Sequence, residues 1–119
     1  MSIEAGLEKY EKVNELIKNE LVKKNKITVK NVNGQRYIGC ALDSGKTIEV
    51  HGTPGNDLAC YLNGGRVVVF GNGQDAVGNT MNGGEIVIHG HSGDALGYGM
   101  RDGNIYTVSY THLRAHETE

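Results

Sequence analysis

Residues 47–65, 66–84 and 85–103 read TIEVHGTPGNDLACYLNGG, RVVVFGNGQDAVGNTMNGG and EIVIHGHSGDALGYGMRDG, three rows of 19 residues without a gap. The rows agree by column. The second position is Ile48, Val67 and Ile86; the fourth is Val50, Val69 and Ile88. The sixth is Gly52, Gly71 and Gly90, and the last is Gly65, Gly84 and Gly103. A fixed period near 20 residues marks a solenoid. Each row opens with a short β-branched strand and runs into glycine. A unit this short has no room for a strand, a packed helix and two loops, but it suits one coil of strand and tight turns. Stacked coils put equivalent residues about 4.8 Å apart, in parallel, and parallel crossovers are nearly always right-handed. The fold expected is therefore all-β, a right-handed parallel β-helix with one strand per coil.

Working outward, residues 26–45 (KITVKNVNGQRYIGCALDSG) fit as an earlier copy with one inserted residue. Ile27 and Val29 fall in the apolar columns, Asn31 in the first glycine place, and Gly39 and Leu42 also align. Asn104-Ile105-Tyr106 opens a fifth copy. The columns name a core: Ile48, Val50, Leu58 and Leu62, then Val67, Val69, Val77 and Met81, then Ile86, Ile88, Leu96 and Met100. Burying each fully is worth roughly 1.5–3 kcal/mol before entropy. No coil can stand alone, so stability must come from stacking. Of the 18 glycines in the chain, 17 lie between Gly34 and Gly103. Gly52, Gly71, Gly90, Gly78, Gly97, Gly65, Gly84 and Gly103 are read as structural, at corners where backbones approach closely.

Residues 1–25 carry a different period. Ile3, Leu7, Tyr10, Val13, Ile17 and Leu21 follow helical spacing, with Leu16 and Val22 widening the stripe. One amphipathic helix over residues 2–25 is expected, ended near Asn25 and capping the coil stack of residues 26–106. Beyond Tyr106 the pattern stops. The stretch VSYTHLRAHETE resembles a translated sequencing-adapter read, so residues 107–119 are set apart as a non-native-looking tail. The expectation is a truncated β-helix with an uncovered coil end, a place prone to edge pairing.

Composition excludes several classes. The net charge is −2, with no basic cluster of a nucleic-acid footprint. No apolar run approaches a membrane span, and the N-terminus lacks a signal layout, so a cytoplasmic chain is expected. Cys40 and Cys60 share the fourteenth column and so fall on adjacent coils. Their register permits a disulfide, but the reading expects two reduced thiols.

Four constellations invite chemistry. Gly71-Asn72-Gly73-Gln74-Asp75-Ala76 matches G-x-G-x-x-A after a strand, yet a dinucleotide turn must open a helix, and Val77–Gly84 is a poor one. Asn56, Asp75 and Asp94 share the tenth column. Stacked carboxylates suit acid–base catalysis or calcium, as in carbohydrate-cleaving β-helices, whereas Asp and Asn beside glycine commonly serve turns. A stand-alone polysaccharide-acting β-helix using Asp75 and Asp94 is one alternative function. His51 and His89 share the fifth column with Phe70 between, about 10 Å apart and too far for one zinc. His91 adds no third ligand. No residue is read as catalytic, cofactor-binding or metal-ligating.

The rows carry a further signature. IEVHGTPGNDL, VFGNGQDAVGNTMNGGEIVIHGHSGDALGYGMRDG and upstream NVNGQRYIG resemble the GXGXG-repeat domain at the C-terminal end of the glutamate synthase large subunit. They resemble still more its stand-alone form in split, archaeal-type enzymes, over residues 1–106. The resemblance implies a structural, non-catalytic part of an oxidoreductase in nitrogen metabolism that makes glutamate from glutamine and 2-oxoglutarate. A separate amidotransferase part releases ammonia, and a separate part with FMN and iron–sulfur reduces 2-iminoglutarate. The β-helix would position these partners and bind no cofactor itself, with no nucleic-acid or membrane partner implied. A similar repeat in a formylmethanofuran dehydrogenase subunit makes a scaffold in that complex the other alternative.

Overall fold

The computed structural model describes residues 2–91 and 93–108. Their strands form one six-stranded parallel sheet in chain order: β1 (Ser2–Glu4), β2 (Lys26–Asn33), β3 (Thr47–Thr53), β4 (Asn63–Phe70), β5 (Gly83–His89) and β6 (Asn104–Thr107). Each connection from β2 onward makes one coil, so the chain is a parallel β-solenoid of about four turns. The register follows the columns: Ile27 pairs with Ile48, Ile48 with Val67, Val67 with Ile86, and Ile86 with Ile105. Alternation along each strand sends these residues, with Val29, Val50, Val69 and Ile88, into one buried core.

Two details of the first copy differ from the sequence reading. Its inserted residue forms a bulge between Val29 and Val32, so Val32, and not Asn31, stands opposite Gly52. Asn31 takes a left-handed φ of 54° at the bulge. Gly52 has φ 125°, and a Cβ there would lie 2.3 Å from the Val32 carbonyl oxygen, so the coils touch backbone to backbone at this corner.

The N-terminal segment is not one helix. The helix α1 runs only Tyr10–Lys23. Ile3 is buried as the centre of β1, which pairs in parallel with β2, and Gly6 at φ 51° turns the chain away from the sheet. The apolar repeat is real, but Ile3 belongs to a strand, Leu7 is 93% exposed and Val22 81% exposed. What α1 buries is Val13, Ile17 and Leu21, joined to the same core at the β1–β2 end of the stack.

Lys46 fixes the helix C-terminus, where carbonyls lack partners of their own. Its Nζ donates to the carbonyls of Leu21 at 2.7 Å and Lys24 at 3.4 Å, and to Asn25 Oδ1 at 3.1 Å. Gln35, the one buried polar residue among those described, anchors the other end. Its Nε2 donates to the carbonyls of Gly6 and Glu8, and its Oε1 accepts from Asn33 N–H.

At the opposite end lies β6. The sixth strand reaches Thr107, one residue beyond the boundary expected at Tyr106. Leu96 and Met100, expected in the core, are 43% and 36% exposed, although their column mates Leu58, Val77, Leu62 and Met81 are at most 1% exposed. Among the described residues nothing stacks on their far side. The tail set apart from residue 107 lies, from residue 109 onward, outside the described residues.

Candidate functional site

Opposite the sheet, the coils are joined by a second ladder. In each turn every second residue has a left-handed φ: Tyr37, Gly39 and Ala41; Asp57, Ala59 and Tyr61; Ala76, Gly78 and Thr80; Ala95, Gly97 and Gly99. In the two middle turns the N–H groups of these residues point alternately to the two neighbouring coils. Ala59 donates back to Ile38 at 2.7 Å, and Gly78 back to Leu58 at 2.9 Å. Tyr61 donates forward to Asn79 at 2.8 Å, and Thr80 forward to Tyr98 at 2.7 Å. A non-glycine residue in this region costs about 1–2 kcal/mol, and such strain persists only where surrounding contacts over-determine it. In the middle turns inter-coil bonds on both sides supply that constraint. The sequence reading marked Gly78 and Gly97 as corners but missed the ladder, because Ala, Tyr and Thr carry no signature of a left-handed conformation.

The tenth-column carboxylates serve the same stacking. Asn56 Oδ1 accepts from Asp75 N–H at 3.1 Å, and Asp75 Oδ1 accepts from Asp94 N–H at 2.8 Å. Asn72 Oδ1 accepts likewise from His91 N–H, 19 residues on, at 2.7 Å. Each side chain caps a backbone donor of the next coil. A carboxylate oriented this way is a structural acceptor, and the arrangement offers little to an acid–base mechanism. The G-x-G-x-x-A stretch is part of this turn and is followed by turns and β5, with no helix. Of its three polar members, Asn72, Gln74 and Asp75, the first and last accept from the adjacent coil.

On the solvent face of the sheet, His51, Phe70 and His89 stack as a ladder of rings. The centroids of His51 and Phe70 are 4.9 Å apart, and those of Phe70 and His89 are 4.8 Å apart. The spacing is the strand spacing itself. It places Phe70 between the two imidazoles, as the columns indicated, so they share no common ligand. Beside them Glu49 Oε1 lies 2.9 Å from His51 Nε2, and Glu49 Oε2 lies 3.7 Å from Lys26 Nζ. The bond to His51, with Lys26 nearby, holds the Glu49 carboxyl below its ordinary value against the opposing effect of burial. This Lys26–Glu49–His51 group was not singled out from sequence. The one usable signal was that all three lie on outward positions of paired strands. Arg66 and Glu85 form a similar cross-strand pair at 2.7 Å, also solvent-exposed, and such pairs contribute little to stability.

Among the described residues, no three His, Cys, Asp or Glu side chains gather closely enough to hold a metal ion. No helix among them is long and apolar enough to cross a membrane. A groove of about 620 Å³ lies over Lys30, Asn31, Asn33 and His51. Another of about 500 Å³ lies between α1 and the first coil, lined by Lys18, Tyr37, Cys40 and Lys46 among others. Neither brings together a nucleophile, a base and an orienting partner.

One expectation is overturned outright. Cys40 and Cys60 are not two reduced thiols but a disulfide across adjacent coils, with Cα atoms 4.7 Å apart. The column register was read correctly. The stacking brings the two Cα atoms inside the disulfide range.

Comparison with known proteins adds the family. An uncharacterized protein of Methanocaldococcus jannaschii is 41% identical over 76 residues, covering 60% of this chain and 29% of its own. The chain thus spans less than a third of that relative's length. No solved structure matches the chain. The model of the family described as GXGXG motif matches residues 4–115, running past Tyr106 into the segment set apart as a tail. With nearly its whole length matched and every glycine row placed on a stacked coil, the chain belongs to the GXGXG motif family.

Proposed function

We propose that this chain is a non-catalytic structural unit of a glutamate synthase-related oxidoreductase in the cytoplasm. In that role it holds in position an amidotransferase part, which frees ammonia from glutamine, and an FMN and iron–sulfur part, which completes glutamate from 2-oxoglutarate. It binds none of those cofactors itself. The observation that carries the reading is the use made of the most regular polar column. The Asp75 carboxylate, the best candidate for chemistry, is turned onto the Asp94 N–H. Membership of the GXGXG motif family supplies the link to glutamate synthases.

The test is co-expression of the affinity-tagged chain with the amidotransferase and FMN subunits of a split glutamate synthase from the same genome. A complex retained through washing and gel filtration is expected. If neither subunit is retained, the assignment fails.

A further inference from the structure

The disulfide between Cys40 and Cys60 plays no part in the proposed assembly role, and its surroundings differ at its two ends. Both cysteines sit in the left-handed ladder. Cys40 lies between Gly39 and Ala41, Cys60 between Ala59 and Tyr61, all four with positive φ. The ladder's own bonds hold this junction. Ala59 N–H donates to Ile38, and Ala41 N–H donates to the Cys60 carbonyl at 2.9 Å. The 4.7 Å between the Cα atoms is therefore a property of the stacking, held by backbone bonds that do not depend on the sulfur link. Reduction requires no backbone movement, and neither does reoxidation.

The two sulfurs differ in access. Cys60 is 5% exposed within the core side of the junction. Cys40 is half-buried and lines the groove of about 500 Å³ beneath α1, where Lys18 and Lys46 outnumber the single carboxylate, Asp43. The Asp57 carbonyl oxygen lies 3.7 Å from Cys40 Sγ, in position to accept an S–H when the pair is reduced.

We propose that Cys40–Cys60 is a reversible thiol–disulfide exchange site, entered at Cys40 by small thiols and dithiols. A dithiol's thiolate attacks Cys40 Sγ. The bond to Cys60 Sγ breaks, and Cys60 leaves with the electron pair and takes a proton from solvent. The second thiol of the reductant then displaces Cys40 from the mixed disulfide. Cys40 is protonated beside the Asp57 carbonyl, and the reductant departs as a cyclic disulfide, two electrons having passed to the protein. A disulfide oxidant of the glutathione class drives the reverse, again through Cys40. A bridge held by preformed backbone and open on one side suits the transient, redox-responding use that intracellular disulfides generally have.

The experiment uses the full chain. Intact mass is read after air oxidation and after dithiothreitol, with circular dichroism on both forms. Loss of two hydrogens on oxidation and superimposable spectra are expected. The reduced wild type is then pulsed with iodoacetamide and mapped by peptide, and the Cys40→Ser and Cys60→Ser variants are exposed to glutathione disulfide. Cys40 should alkylate first by at least about ten-fold, following its access, and Cys60→Ser should gain one glutathionyl group far faster than Cys40→Ser. Two thiols still free after oxidation would overturn the site. Equal or inverted alkylation of the wild type would overturn entry through Cys40 even if a variant fails to fold. A collapse of strand signal on reduction would overturn the claim that the backbone holds the pair in place.

Discussion

Gly83 and Gly84 are neighbours in β5 with opposite tolerance for a side chain, and the pair tests the stacking directly. At Gly83 an added Cβ meets nothing closer than the Gly64 backbone at 3.9 Å, an ordinary contact. At Gly84, φ is 96°, and the Cβ would lie 2.3 Å from the Gly65 carbonyl oxygen and 2.9 Å from Gly64 C. The obstacle is backbone, so no rotamer change relieves it. The left-handed conformation costs alanine about 1–2 kcal/mol. Moving the coils apart by the missing ångström stretches the adjacent bonds from Asn82 N–H and Gly83 N–H to the Leu62 carbonyl, now 2.8 and 3.2 Å. Each such bond is worth about 0.5–1.5 kcal/mol net. The sum for Gly84→Ala is about 2–5 kcal/mol, a fall in Tm of about 10–30 °C for a domain of this size. Gly83→Ala should change Tm by only a few degrees, upward if the stiffer unfolded chain dominates. Thermal melts followed by circular dichroism at matched concentration decide it. Equal shifts for the two variants would refute the claim that coil contact, and not glycine content, sets these positions.

Two further outcomes follow from the side chains that face the next coil and the solvent. Asp75→Asn keeps an acceptor for the Asp94 N–H and should melt within a degree or two of the parent, whereas Asp75→Ala should lose about 1 kcal/mol in urea unfolding; a large loss with Asn would mean that the charge itself matters. The His51 bond, with Lys26, lowers the folded-state pKa of Glu49 from 4.5, so its stabilising contribution is fully present above about pH 4.5 and is lost as pH falls through the lowered value. Glu49→Gln should therefore melt below the parent at neutral pH, with the gap closing in acid, and a gap that widens in acid would refute the assignment.

Much of this fold was legible because stacking gives every nineteenth residue the same surroundings. Ile48, Val67 and Ile86 share a column because they share a place in the core, and glycine recurs where one coil's backbone meets the next. The parts that were not legible are those where one residue fits two structures. Ile3 satisfies a helical stripe and a strand centre equally, and only Gly6 marked the break between them. The left-handed ladder showed only at Gly78 and Gly97, because the alanine, threonine and tyrosine positions beside them adopt that conformation under compulsion from inter-coil hydrogen bonds, not by preference. The tenth column was visible as a row of Asn and Asp, but sequence cannot say whether a carboxylate reaches the N–H above it; the exposed Asp75 does, through the 2.8 Å bond from Asp94. The fourteenth column gave the cysteine register yet not the bond, because the 4.7 Å approach of the Cα atoms is set by backbone bonds between these coils that a column alignment does not show. Leu96 and Met100 complete the argument. They occupy the same columns as Val77 and Met81, but have no coil stacked beyond them among the described residues, and their exposure rises from at most 1% to 43% and 36%. A column in this sequence therefore specifies what a neighbouring coil can bury, and the burial itself, with the stability that comes from it, belongs to the junction between coils.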